Sequence, residues 1–286
     1  MTDDRPRTTR LAGVIGWPIH HSRSPKLHGH WLARYQIDGA FLPLAVKPER
    51  LADAVRGLTA LGFQGCNVTL PHKQAVIDLL DRLDDTAGRI GAVNTIIVEP
   101  DGSLEGRNTD AFGFMENLRA GAPHWQPDRP ALVLGAGGAA RAVVVGLLEA
   151  GCPDLRLTNR TRDRADAFWA DLHAVDPDFA APIRVVDWSD RGAAGTGIGL
   201  LVNTTTLGMT GQPALEIDLS ALPHDAVVAD IVYAPLVTPL LGTAKARGLH
   251  TVDGVGMLLH QARPGFRAWF GVDPVVDAPL RAAVLG

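Results

Sequence analysis

At 286 residues and 46% hydrophobic content, the chain is long enough for two ordinary domains, each with its own core. A net charge of −4 with acidic and basic residues interspersed leaves no basic footprint for nucleic acid and no polybasic patch for a membrane surface. The only cysteines, Cys66 and Cys152, stand far apart in sequence, which argues against a disulfide framework or a cysteine zinc site and suits a reducing cytoplasm.

Met1 to Arg10 is charged, contains Pro6 and is expected to lack fixed structure. The apolar stretch Leu11 to Ile19 is broken by Gly13, Gly16 and Pro18 and runs into His20-His21-Ser22-Arg23, so it reads as a strand and not a signal peptide. No apolar run approaches the roughly 18 residues of a membrane span, and Arg141 interrupts the nearest candidate. His20, His21, His28, His30 and His72 lack carboxylate or cysteine companions at ligand spacing, so no metal is expected.

The chain then alternates: strand Leu11 to Ile15, helix Pro25 to Tyr35, strand Ala40 to Val46, helix Arg50 to Leu61, strand Gly65 to Leu70. A helix from about Lys73 to Leu83 and strands near Ala92 to Val98 complete an α/β layer, followed by a helix from Ala111 to Arg119. The turn-rich segment 121 to 130 marks a joint. Beyond it, Ala131 to Leu134 is a buried strand, Gly135 allows a tight turn, and Gly137 lets backbone N–H groups approach a pyrophosphate at the next helix. Ala140 is small enough for close packing of helix on strand, and the helix ends at Gly151. After the second strand, Asn159-Arg160-Thr161 with Arg164 stands where an acid would select NAD. Two guanidinium groups and a hydroxyl suit the 2′-phosphate of NADP instead, although a glycine turn followed by solvated surface arginines would read the same way. Ile198 to Asn203 and Ala226 to Ile231 are further parallel strands. Met257 to Phe270 is a helical pattern too short to form a domain, so it must pack on something already present, and the first domain is the expected partner.

Four polar segments stand outside the nucleotide domain. In His21-Ser22-Arg23-Ser24-Pro25, Ser24 reads as an N-cap with Pro25 at the first helical position, which leaves Ser22 unexplained. In the segment 66 to 73, Asn67 and Thr69 share one strand face, and Lys73 opening a helix sits against the macrodipole, which argues against a purely stabilising role. Gly91 to Thr95 puts Asn94 inside an apolar strand, where a buried amide needs partners. Asp110, after Asn108-Thr109, taken singly reads as a carboxylate favoured by the start of its helix.

Together and in this order, HSRSP (21 to 25), CNVTLPHK (66 to 73), GAVNT (91 to 95), NTD (108 to 110), GAGGAAR (135 to 141), NRT (159 to 161), the Asp230 to Tyr233 segment DIVY with Thr238-Pro239-Leu240, and DGVGMLLHQ (253 to 261) resemble the shikimate dehydrogenase family. The resemblance implies an N-terminal α/β substrate domain, a Rossmann-type NADP-binding domain and a C-terminal helix returning to the first domain. The expected boundaries are 1–120 plus 253–286 for the catalytic domain and 121–252 for the NADP domain. It implies reversible NADPH-dependent reduction of 3-dehydroshikimate to shikimate in the cytoplasmic route to chorismate and the aromatic amino acids, by a monomer or homodimer whose partners are small molecules. By similarity, Ser22, Ser24 and Tyr233 hold the substrate carboxylate. Asn67, Thr69, Asn94, Asp110 and Gln261 bind ring hydroxyls, and Lys73 with Asp110 forms the catalytic pair. The expected cofactor contacts are Gly135, Ala136, Gly137, Gly138, Ala139, Asn159, Arg160, Thr161, Arg164, Thr205, Gly254 and Met257.

Asn203-Thr204-Thr205-Thr206 departs from the family pattern by adding hydroxyls and β-branching near the nicotinamide. Two rival readings are a quinate or dual quinate/shikimate dehydrogenase and a non-catalytic NADP-binding sensor. Arg160 and Arg164 argue against an NAD-using form of the first, and Lys73 with Asp110 against the second.

Overall fold

The computed structural model describes residues 9–286. They form two compact units, one running to Thr109 and resuming at Gln261–Gly286, the other spanning Asp110–His260.

The first unit begins with β1 (Arg10–Gly16), α1 (Ser24–Arg34), β2 (Gly39–Ala45), α2 (Leu51–Ala60) and β3 (Phe63–Val68), each within a residue or two of its expected place. Arg10 opens β1 and its guanidinium donates to the Phe270 carbonyl at 2.6 Å, so the expected unstructured segment does not reach it; residues 1–8 lie outside the described residues. The expected helix from Lys73 to Leu83 does not form. In its place stand turns, a single 3₁₀ turn at Ile77–Leu79 and the short strand β4 (Arg82–Leu83). The reason lies in the backbone bonds: the Lys73 carbonyl, which a helix would give to Ile77, accepts from the Val93 N–H at 2.8 Å, and Ile77 donates to Gln74 instead. Lys73 therefore does not sit against a helix macrodipole, because no α-helix starts there.

The unit continues through α3 (Asp85–Ile90), β5 (Thr95–Val98) and β6 (Leu104–Arg107). Among the described residues its sheet has the order β2-β1-β3-β5-β6-β4 and is mixed: β1 pairs parallel with β2 and β3, and β5 runs antiparallel to β3 and β6.

The second unit comprises α4 (Asp110–Gly121), β7 (Ala131–Leu134), α5 (Gly138–Glu149), β8 (Leu155–Thr158), α6 (Arg162–Val175), α7 (Pro177–Ala180), β9 (Ile183–Val185), β10 (Leu200–Asn203), β11 (Val227–Asp230), α8 (Pro239–Ala246), β12 (His250–Val252) and α9 (Val255–His260). Its sheet is parallel throughout in the order β9-β8-β7-β10-β11-β12, the doubly wound Rossmann arrangement whose switch point falls between β7 and β10. Ala140, Val143, Val144 and Leu147 of α5 cover one face with Phe168 and Leu172 of α6; Leu240, Leu241 and Ala244 of α8 cover the other. Strands β7, β10 and β11 at the centre are buried along their whole length, which is why they read as apolar runs.

Sequence places the junctions at 120/121 and 252/253, whereas the compact units divide at 109/110 and 260/261. Helix α4 packs on α5 and α9. A side chain at Gly256 would collide with the Asn117 amide, and Asn117 Nδ2 donates to the Asp253 carbonyl at 2.7 Å. These contacts tie both flanking helices to the nucleotide-binding sheet.

The chain returns to the first unit with α10 (Ala262–Phe270) and α11 (Ala278–Leu285). The single helix expected over Met257 to Phe270 is thus two, broken at Gln261, because α9 packs on α4 while α10 packs on β1, β3 and β5. Helix α10 buries Ala262, Gly265, Phe266, Trp269 and Phe270, a stripe at helical spacing, and Trp269 Nε1 donates to the Ile96 carbonyl at 3.1 Å. His28 lies in this aromatic cluster, stacked on Phe41 with 3.9 Å between ring centroids. Burial drives its pKa down to about 3, partly opposed by the Asn67 side chain, so the ring is neutral. His72, also buried, places a ring nitrogen 2.7 Å from the Val46 carbonyl.

Among the described residues, no helix is long and apolar enough to cross a membrane, and no group of three His, Cys, Asp or Glu side chains could hold a metal ion. Cys66 and Cys152 are both buried and free, and burial pushes both thiol pKa values up.

Candidate active site

Three of the polar segments converge on Asn94 inside the first unit. Asn67 Nδ2 donates to the Asn94 carbonyl and to Thr95 Oγ1, both at 3.1 Å. The Thr95 hydroxyl donates to Asn94 Oδ1 at 2.9 Å, and that oxygen also accepts from the Thr109 N–H at 2.9 Å and the Thr109 hydroxyl at 3.1 Å. Asn67, Asn94, Thr95 and Thr109 are buried, so this chain of donors fixes the orientation of both amides. Both Nδ2 protons of Asn67 are spent in it, and its Oδ1 is left to accept. Thr95 and Thr109 were not among the expected site residues; the signal that could have found them is that each directly follows an asparagine in a polar segment.

The same network places the remaining residues of this group. Val68 N–H donates to the Asn94 carbonyl at 2.8 Å and Thr69 N–H to Ile15 at 2.9 Å, so Thr69 extends the line of β3 just past its end. Lys73, half-buried, sits in the turn whose carbonyl is pinned to Val93. Asp110 opens α4 and is peptide-bonded to Thr109, so the Asn94 contacts hold the residue that precedes it. Ser24 is not the cap expected of it: Arg23 occupies the N-cap, Ser24 is the first helical residue, and its N–H donates to Ser22 Oγ at 3.3 Å. A hydroxyl oxygen that accepts a backbone N–H keeps its own proton to donate, which accounts for Ser22. Gln261 caps α10 in helical conformation and is half-buried in the same unit as Ser22, Ser24, Asn67, Thr69, Lys73 and Asn94.

The second unit holds the other group. Gly135 has φ +116°, and a side chain there would meet Thr204 Oγ1 at 2.5 Å, so a glycine is required where β7 turns toward α5. Ala136 is half-buried, and a methyl at Gly137 or Gly138 would meet nothing within 4 Å. Gly137 caps α5 without a side-chain hydrogen bond, no acid occupies the first turn, and Ala139 lies in it with Ala140 buried beneath. An open, uncapped helix N-terminus at the switch point fits a pyrophosphate. Past β8, Asn159 Nδ2 donates to the Thr161 carbonyl at 2.8 Å and shapes the turn into α6. Arg162 is paired with Asp166 and Asp187, whereas the exposed Arg160 and Arg164 make no ion pair among the described residues. Both guanidinium groups are therefore open to an external anion.

The added hydroxyls of the 204 to 206 turn are largely engaged. Thr204 Oγ1 donates to the Leu134 carbonyl at 2.7 Å, and Thr205 gives its N–H and hydroxyl to Asn203 Oδ1 at 3.0 and 2.8 Å. They shape the turn at the switch point. Tyr233 is half-buried in the turn after β11. A side chain at Gly254 would collide with the Ile231 carbonyl, and Met257 packs partly against the core of the unit.

The geometry defines a class: a Rossmann-type dinucleotide-binding unit in one chain with a second α/β unit that carries a buried amide and hydroxyl network. Residues 14–96 match the model of the shikimate dehydrogenase substrate binding domain. The shikimate dehydrogenase (NADP(+)) of Paramagnetospirillum magneticum is 61% identical over 277 residues, covering 96% of this chain and 98% of that one. The chain belongs to the shikimate dehydrogenase family. Among solved structures, shikimate 5-dehydrogenase from Thermus thermophilus in complex with NADP(H) and shikimate superposes with a TM-score of 0.82 at 36% identity, covering 96% of this chain and 98% of that one. Quinate dehydrogenase from Corynebacterium glutamicum in complex with NAD superposes with a TM-score of 0.88 at 32% identity, covering 97% and 99%.

Proposed function

We propose that this protein catalyses the reversible NADPH-dependent reduction of 3-dehydroshikimate to shikimate, a step toward chorismate and the aromatic amino acids. The observation that carries the reading is the convergence of the 66 to 73, 91 to 95 and 108 to 110 segments on Asn94, in a chain so similar to a shikimate dehydrogenase (NADP(+)). Oriented amides and hydroxyls suit a ring bearing several hydroxyls, because a site built to bond each one rejects analogues lacking it.

NADPH, when bound, supplies the hydride. Gly135 to Ala139 would hold its pyrophosphate, Asn159, Arg160, Thr161 and Arg164 its adenosine 2′-phosphate, and Thr205, Gly254 and Met257 its nicotinamide end. Ser22 and Ser24 donate to the substrate carboxylate with Tyr233, and Asn67, Thr69, Asn94 and Gln261 orient the ring. The Lys73 ammonium polarises the ketone and gives a proton from Nζ to the oxygen that becomes the alcohol. Asp110 binds a ring hydroxyl and orients that ammonium. We place the reaction in the cytoplasm, in keeping with the free, buried cysteines.

Quinate oxidation is the second reading, favoured by the likeness to the quinate dehydrogenase structure. The unpaired Arg160 and Arg164 favour NADP over NAD. Steady-state rates with shikimate or quinate, each with NADP and with NAD, test both readings. The proposed function requires the shikimate and NADP pair to have the highest kcat/KM; a higher value for quinate with NAD would transfer the assignment.

A further inference from the structure

The carboxylate of Asp230 is 1% exposed, at the carboxyl end of β11, directly opposite the fully buried Asn203 on β10. It is a common acceptor. Oδ1 receives Asn203 Nδ2 and the Val232 N–H, both at 3.0 Å, and Oδ2 receives the Thr238 hydroxyl at 2.6 Å.

Each donor belongs to a different piece of backbone. Asn203, held from one side by Asp230, uses its Oδ1 to accept the N–H and hydroxyl of Thr205, and its Nδ2 also reaches the Leu207 carbonyl at 3.2 Å. Val232 directly precedes Tyr233. Thr238, at the far end of the strap that begins with Tyr233, caps α8 by accepting the Leu241 N–H at 3.3 Å. The two turns also meet directly where Thr210 N–H donates to the Ala234 carbonyl at 2.8 Å.

A carboxylate has lone pairs for all these donors and no proton of its own to place, so it suits this position better than an amide. Burying it is costly unless it is fully bonded. We propose that Asp230 is a positioning residue that sets the turn carrying Thr205 and the strap carrying Tyr233 from one buried group. The cofactor-side and substrate-side contacts of the second unit therefore shift together when it is lost. This rests on the proposed function for the roles of Thr205 and Tyr233.

The test compares Asp230→Ala, Asp230→Asn and Thr238→Val in the full chain, with rates normalised to folded protein and both KM values measured with shikimate and NADP. Asp230→Ala is expected to raise the KM of shikimate and of NADP together, each by about 10-fold. Asp230→Asn, which keeps an oxygen for Asn203 and Val232 but no acceptor for the Thr238 hydroxyl, should recover most of the NADP KM and only part of the shikimate KM. If Asp230→Ala does not fold, Thr238→Val decides: it frees the strap alone and should raise the shikimate KM several-fold while sparing that of NADP. A folded Asp230→Ala with both KM values unchanged, or with only one raised, overturns the proposal, as does an unchanged shikimate KM in Thr238→Val. Absence of turnover by the unaltered protein would instead overturn the proposed function.

Discussion

Lys73 and Asp110 carry the proposed proton transfer, and neither announces itself chemically in isolation. Lys73→Ala is expected to lower kcat by about 10²- to 10⁴-fold with the shikimate KM little changed, the signature of a lost acid/base group. The double variant with Asp110→Ala should lose far less than the product of the single losses, because members of one catalytic unit are not additive. Steady-state kinetics check this, and fully multiplicative losses would mean that the two act separately. Arg160, proposed to hold the 2′-phosphate of NADP, is a contrasting case. Arg160→Ala should raise the NADP KM by about 10- to 100-fold with kcat nearly unchanged, the effect of losing one charge-assisted hydrogen bond. Titration of the variant with NADP and NAD should show the preference for NADP shrinking. The arginines were legible in the sequence because an acid was missing at a defined place. Thr95 and Thr109 were not, because their importance comes from hydrogen bonds between segments that only the fold brings together.

Helices and strands were legible where the side-chain pattern decides them and illegible where backbone partners do. Strand β7 and helix α5 stand where the apolar run and the flanking glycines put them, since local burial and turn chemistry agree. The Lys73 to Leu83 segment has a helical pattern, yet its backbone is bonded to Val93 and Leu104, and those long-range bonds win. Helix α10 offers a direct test of what holds the first unit together. Trp269 is fully buried against His28, Phe41 and Gly65 and donates to Ile96. Trp269→Ala should cost about 3–5 kcal/mol through the cavity and the orphaned carbonyl, read as a lower denaturant midpoint for the first unit.

His28 and Asp230, both buried and one in each unit, respond to acid with opposite signs. His28 in the first unit has its pKa lowered from 6.5 to about 3. Its neutral form stabilises fully above pH 6.5, and that contribution is lost as pH falls toward 3, at up to about 1.4 kcal/mol per pH unit. Asp230 in the second unit has its pKa raised by burial from 3.8 to about 6, so its contribution has the opposite sign: it is present below pH 3.8 and lost as pH rises through 6. Hydrogen exchange at pH 7 and pH 5 should therefore show the first unit losing protection relative to the second, and His28→Leu should flatten that difference. Equal loss in both units would contradict the assignment. Truncation after His260 removes α10 and α11 and is expected to unfold the first unit while NADP still binds the second, measured by cofactor titration of the shortened chain.

Taken by itself, the sequence determined the α/β class, the two-part organisation, the Rossmann turn and the arginines that follow its second strand. These depend on short-range features: apolar runs of strand length, glycines where a side chain cannot fit, and charges next to a known turn. Tertiary structure alone decided where the chain divides, that the helical pattern at 257 to 270 breaks at Gln261, that Ser24 is helical and not a cap, and how Asn67 and Asn94 are oriented. Each of those outcomes depends on which distant backbone or side-chain group satisfies a buried donor or covers an apolar face. Such a partner can lie dozens of residues away, as Asp230 does from Asn203, and periodicity in one segment carries no information about it.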